Sequence, residues 1–310
     1  MKKEDNCLLY KSRSYSACVK AGYNLFTDNF RKLFSSTWIL VLIVSLLKSA
    51  IEASGFSLIA TIRHIEPVHM IVIYTILVLL EIVSSFILFG IIFYLFQQHK
   101  QTGTYSRCSL KGAYKGIVHF SIRSSKLFVW TILLYTPIVI ATCFFAIRMI
   151  PLQFSDPAMH KYLILSILSF ILFLIFYLPF VFLMVKYMIE DKSHSWSVIT
   201  KGYKDGISHW GFSFAVIFLS WLITAIAVLI INMPELVIHQ ANIISQNGVL
   251  EGDPSGLPNY FGILVFIVSS IITFMAQYAG IAFLFPIYYM YGSIETQKIE
   301  KVDFENNIEQ

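Results

Sequence analysis

Four stretches of this chain, 127–147, 162–185, 210–233 and 260–291, contain no Asp, Glu, Lys or Arg. A fifth, 68–96, contains one acidic residue, and a sixth, 33–62, is interrupted by Lys48 and Glu52 but has apolar flanks. About 20 mostly apolar residues suffice for a helix to cross a bilayer. Each stretch meets that length, and several exceed it, which predicts tilt or extension beyond the lipid. The runs are continuous rather than alternating segments of about ten residues, so they predict bundled helices and not a barrel. Composition agrees: 57% of the 310 residues are hydrophobic and 13% charged, with mean hydropathy +0.70, whereas a soluble domain carries about 25% charged residues.

Orientation follows from where lysine and arginine fall. Seven precede the first span, six lie between spans two and three, four between spans four and five, and two follow span six. That places 19 of the 23 on one side. Both termini are therefore expected in the cytoplasm, with the protein in the cell (inner) membrane. The first 32 residues are polar and basic, and no small-residue cleavage site follows the first apolar run, so that run reads as a retained span. Cys7, Cys18 and Cys108 fall on the expected cytoplasmic side and Cys143 inside an apolar run, which implies no disulfide framework.

A short block precedes each pair of spans: Lys20-Ala-Gly-Tyr23, Lys111-Gly-Ala-Tyr114 and Lys201-Gly-Tyr203, the tyrosines 91 and 89 residues apart. Around the second block Leu110, Ala113, Tyr114, Ile117 and Val118 follow the spacing of one apolar helix face. Ser106 and Ser195 sit where N-caps would. Phe89-Gly90, Leu178-Pro179 and Ala279-Gly280 correspond in the second span of each pair. The chain thus reads as an all-α membrane domain over 1–297. It holds three parallel repeats, 14–104, 105–193 and 194–297, each a short cytoplasmic interfacial helix plus a helical hairpin, with pseudo-threefold packing. A polar cytoplasmic tail, 298–310, is expected to fray. The extra length of the third repeat lies in the Gly/Pro-rich loop 247–259. The interfacial elements, with Lys20, Tyr23, Lys111, Tyr114, Lys201 and Tyr203 as their marked residues, read either as a collar that grips anionic lipid or as elbows that position each hairpin.

Ionisable groups inside spans are costly and are functional candidates. Lys48 lies 14 residues from Phe34 and Glu81 lies 15 from Phe96, which puts both at about 21–23 Å from that edge at the helical rise. They form a candidate intramembrane polar site together with Glu52, one turn beyond Lys48. Phe170 and Ile271 occupy the place of Glu81 in the other repeats, so the site breaks the threefold pattern. It reads as a proton, ion or headgroup locus, or as an ion pair that locks the first hairpin. Gln277 reads as an interhelical hydrogen-bonding residue, and Pro137, Pro179 and Pro286 lie within spans.

No hydrolase, phosphate-loop, dinucleotide or calcium-loop motif is present. The sequence predicts no cofactor and no metal, although His64 and His69 flank Glu66. Basic residues follow the membrane edges rather than forming a nucleic-acid patch. Six spans in three hairpins, each behind a Lys/Gly/Tyr block, resemble a broad group of uncharacterised bacterial inner-membrane proteins, similar to the membrane domain of some glycerophosphodiester phosphodiesterases. The soluble barrel that carries catalysis in that family has no counterpart in these residues, so the resemblance transfers no catalytic residue. The expected function is that of a non-enzymatic scaffold whose partners are membrane lipids and another membrane or peripheral protein. The alternative is a transporter or channel for a small solute or lipid that uses Lys48 and Glu81.

Overall fold

The computed structural model describes residues 8–61, 67–103, 110–149, 157–190, 195–252, 257–258 and 260–308. These form seven α-helices: α1 (Tyr15–Thr61), α2 (Pro67–Thr102), α3 (Leu110–Met149), α4 (Pro157–Ile189), α5 (Ser195–Ser208), α6 (Trp210–Leu250) and α7 (Phe261–Ile308). No strand occurs among the described residues. All but α5 are long and apolar enough to cross a membrane. This is the pattern of a multi-pass membrane protein, in which every backbone N–H must find its carbonyl within the same segment.

The helix limits differ from the sequence expectation in three places, each with a local cause. The first two Lys/Gly/Tyr blocks lie in the opening turns of α1 and α3 and run into the long helix without a break. No proline stands between Tyr15 and Thr61, or between Leu110 and Thr136, to interrupt the ladder. Only the third block forms a helix of its own. Its junction with α6 is a single residue, His209, where the Ser208 hydroxyl (2.9 Å) and His209 Nδ1 (3.1 Å) both lie at the Asp205 carbonyl. Side chains that compete for a backbone carbonyl disturb a helix in this way. Third, α6 passes through Pro234 to Leu250, and α7 continues through the polar residues after Glu295 to Ile308 instead of fraying. At the other end Ser14 caps α1, its Oγ accepting from the Ala17 N–H at 3.4 Å. Ser106 lies outside the described residues, as does the side chain of Ser195.

The chain divides into two compact units, with borders inside α1, α3, α6 and α7. One comprises Met1–Ala21, Ile122–Phe218 and Pro286–Gln310. In it, α5 packs on α4. A Cβ on Gly206 would come 2.8 Å from the Pro179 carbonyl oxygen and 2.9 Å from its Cα, and one on Gly202 would come 2.8 Å from Leu183. Gly202 and Gly206 are four apart, the small-xxx-small spacing that lets helix backbones meet. The tyrosines Tyr135 (3.0 Å) and Tyr203 (3.4 Å) donate to the Phe176 carbonyl, in the turn ahead of Pro179. Against α7, the Arg13 N–H donates to Ser293 Oγ at 2.9 Å, and the Arg13 guanidinium stands 4.8 Å from the Tyr289 ring centre.

The other unit comprises Gly22–Ser121 and Leu219–Phe285. There α2 meets α3 by the same means. A Cβ on Gly90 would collide with Ser121 and stand 2.9 Å from the Ile117 carbonyl oxygen, and one on Gly116 would stand 2.6 Å from the Tyr94 ring. The first half of α1 meets α7 through aromatic rings: Phe26 against Phe285 at 5.3 Å, Phe30 against Tyr278 at 5.6 Å and Phe34 against Tyr278 at 5.5 Å. Thr37 and Tyr278 share a hydroxyl–hydroxyl hydrogen bond of 3.2 Å.

These contacts make glycine substitutions unequal. Gly206→Ala is expected to destabilise by about 1–3 kcal/mol through overpacking. Gly280→Ala, where a Cβ meets nothing within 4 Å, is expected to stabilise by roughly 0.5–1 kcal/mol through helix propensity. Thermal unfolding of both variants in the same detergent checks the order.

Candidate functional site

The ionisable residues that the sequence places inside spans are gathered in the unit built from Gly22–Ser121 and Leu219–Phe285. Lys48 Nζ lies 3.8 Å from Glu81 Oε1, joining α1 to α2, with the side chains 40% and 19% exposed. Ser85, one turn along α2, donates its hydroxyl to the same Glu81 oxygen at 3.0 Å. The matched depth of Lys48 and Glu81 in the sequence is thus a contact in the structure.

Glu52 does not join that pair in a direct salt bridge among the described residues. Glu235 and His239 on α6 are close enough to act on its charge. Glu235 and His239 are four residues apart on one helix face, Oε1 to Nε2 3.7 Å. Glu235 Oε1 is buried with no hydrogen-bond partner. Five ionisable groups from three helices therefore stand together, where the sequence reading placed three from two.

Glu235 and His239 were missed because the fifth span was ended at Met233. A signal was present: Leu236, Val237 and Ile238 continue the apolar run between them, and the i,i+4 spacing of an acid and a histidine repeats that of Lys48 and Glu52. The chemistry available is proton and cation handling. Three carboxyls, one lysine and one histidine are the groups that could take part in it. Among the described residues no cluster of His, Cys, Asp or Glu has the arrangement of a metal site. His64 and Glu66, with the side chain of His69, lie outside the described residues.

Lys20 is exposed, and the side chains of Lys111 and Lys201 lie outside the described residues. The Tyr23 hydroxyl donates to the Ser220 carbonyl at 3.1 Å and lies 3.2 Å from Thr224 Oγ1. Tyr203 bonds α4, whereas Tyr114 is 66% exposed.

The larger charge network lies in the other unit. Lys186 of α4 reaches Glu295 (3.0 Å), Asp205 (3.2 Å) and Glu190 (3.9 Å), and Lys298 of α7 reaches Asp205 (2.6 Å) and Glu295 (3.1 Å). Tyr291 donates to Glu190 at 3.0 Å. Arg123 of α3 donates to the carbonyls of Tyr187 and Glu190 and stacks 4.5 Å from the Tyr187 ring centre. Two lysines shared among three acids tie α4, α5 and α7 by contacts that are only partly buried, which is the arrangement of a clasp. Burial by itself would raise the Asp205 carboxyl, but the hydrogen-bonded ammonium groups of Lys298 and Lys186 outweigh it and hold the group below the usual carboxylate range.

Two outcomes follow. Asp205 has a folded pKa depressed below its unfolded value, so its contribution is complete above about pH 4 and is lost as pH falls through the folded value. Melting temperature against pH should therefore drop on the acid side for the wild type and drop less for Asp205→Asn. For the other cluster, Lys48→Met and Glu81→Leu should each cost about 3–5 kcal/mol, because each leaves its partner as an uncompensated charge within a span. The double variant should recover most of that loss, because no uncompensated charge is left. A thermal double-mutant cycle measures this. Comparison of the chain with known protein families, with curated proteins and with solved structures finds no match.

Proposed function

We propose that this is a non-enzymatic inner-membrane protein that works by what its helices hold at their surfaces, lipid and a partner membrane or peripheral protein. Both termini lie in the cytoplasm in this reading, supported by the lysine and arginine asymmetry. The observation that carries the proposal is the breadth of exposed apolar helix face. Phe128, Val129, Leu133 and Ile140 of α3 and Trp221, Ile226, Leu229 and Ile230 of α6 are all exposed, in runs far larger than a water-facing surface carries.

The threefold repeat belongs to the same proposal, and the helix contacts support it. Gly90 meets Ile117, and Pro179 meets Gly206; both members of the first contact move by 89 residues to become the second. Gly116 on Tyr94 and Gly202 on Leu183 are a looser counterpart. The contact of α7 with the first half of α1, through Phe26, Phe30, Tyr278 and Phe285, takes the third place. In this arrangement the second span of each hairpin packs on the entry helix of the next, and the last packs on the first. The Lys/Gly/Tyr blocks are then joints, and the likeness to phosphodiesterase membrane domains is one of membrane architecture without chemistry.

The cluster around Glu52 and Glu235 favours a second reading, that of a transporter or channel. Reconstituted vesicles decide between them. The scaffold reading expects flux of protons and small ions no greater than in protein-free vesicles, with phospholipid retained by the purified protein in native mass spectrometry. A protein-dependent flux that Glu81→Gln abolishes would replace it with the transport reading.

A further inference from the structure

We propose that the side of α7 around Tyr289, Gly292 and Ser293 is a recognition groove for an extended peptide, filled in this structure by the chain's own residues 8–13. These residues lie ahead of α1 and belong to no helix, and they share one compact unit with this part of α7. Three contacts dock them. The Ser293 hydroxyl, fully buried, reads a backbone: it accepts the Arg13 N–H at 2.9 Å and donates to the Arg13 carbonyl at 3.2 Å. Gly292 admits the Leu9 backbone, since a Cβ there would collide with the Leu9 carbonyl oxygen and stand 2.6 Å from the Leu9 side chain. The Tyr289 ring carries the Arg13 guanidinium 4.8 Å from its centre. Main-chain hydrogen bonds together with side-chain pockets are how grooves hold extended peptides.

The segment is shaped by its own arginine as much as by the groove. The Arg13 guanidinium donates to the carbonyls of Leu8 at 2.5 Å, Leu9 at 3.2 Å and Lys11 at 3.3 Å. One residue therefore both curls the segment and seats it. The apolar hold is slight: Leu9 is 5% exposed, but Leu8 is 58% and Tyr10 45%. One buried leucine and a pair of backbone hydrogen bonds set little against the entropy of ordering six residues, so the segment can leave while α1 and α7 stay folded. Ser293 then keeps a partner, because Gln297 Nε2 donates to its hydroxyl at 3.4 Å. The segment is a removable stopper, and its chemistry defines what replaces it: an extended stretch with a large apolar side chain and an arginine four residues later. The peripheral protein held by the proposed scaffold would present that pattern, and to this extent the inference rests on that reading.

The test uses the full chain in phospholipid nanodiscs and, as probe, a synthetic peptide of residues 8–14, Leu-Leu-Tyr-Lys-Ser-Arg-Ser. Leu9→Asp removes the buried anchor and Arg13→Gln the pin. In either variant, amide hydrogen exchange over residues 8–13 should rise about tenfold while α7 keeps its protection. The peptide should then bind the variant at concentrations up to about 1 mM, the effective concentration of a short tether, and bind the wild type about tenfold more weakly because its groove is filled. The Arg13→Gln peptide should not bind, and Gly292→Ala added to the variant should remove binding of the original peptide. The proposal is overturned if residues 8–13 exchange no faster in whichever variant folds. It is equally overturned if the released groove does not take the peptide, or if Gly292→Ala leaves binding unchanged. A peptide that fails to bind removes the groove and leaves the scaffold reading standing, whereas flux lost in Glu81→Gln removes the scaffold reading and leaves peptide binding as measured.

Discussion

Close approach of helix backbones is the contact on which the rest of this structure depends. In hydrocarbon, one apolar helix gains little from touching another, because lipid tails are as apolar as leucine. What remains is packing density and the occasional hydrogen bond. The structure supplies packing at Gly90, Gly116, Gly202 and Gly206, where a single added carbon would meet backbone, a ring or, at Gly202, the Leu183 side chain at under 3 Å. Hydrogen bonds supplement it where tyrosine or threonine hydroxyls reach across, as at Tyr135 on Phe176 and Thr37 on Tyr278.

The two ionisable clusters differ in design. Around Lys186 every acid has a cation at hand, and the cations are shared, so removing one contact leaves others in place. Around Glu52 the contacts are fewer and longer, Lys48 to Glu81 at 3.8 Å and His239 to Glu235 at 3.7 Å, and Glu235 Oε1 is buried without a hydrogen-bond partner. The first arrangement suits a clasp between helix ends. The second lies within apolar spans, where ionisable groups are costly, which is why the functional interest of the molecule gathers there and not at the larger network.

Much of this was readable in the residues. The six long apolar segments are legible because a spanning helix is a one-dimensional object, its length and composition written consecutively. The Lys48–Glu81 contact was legible as well, since two arms of one hairpin measured from a common edge must bring residues of equal depth together. Glu235 and His239 were not found, because depth counted along one hairpin says nothing about a helix 180 residues away. The continuity of α1 and α3 through their Lys/Gly/Tyr blocks was also missed. A polar stretch such as Asn24–Lys32 resembles an elbow in composition, yet it contains no residue that breaks a helix. At His209 the Ser208 hydroxyl and His209 Nδ1 crowd a carbonyl that also accepts the His209 N–H at 3.3 Å, which is a local geometric event with little compositional trace.

By itself, then, the sequence determined the class of structure, the number of apolar helices and the pairing within the first hairpin, because each depends on residues close in the chain or on the energetics of crossing lipid. Only the tertiary structure decided which glycines are joints and which acids lie beside a cation. Those outcomes depend on which faces of distant helices meet, and helices that are apolar all round carry no periodic mark of the face they will bury.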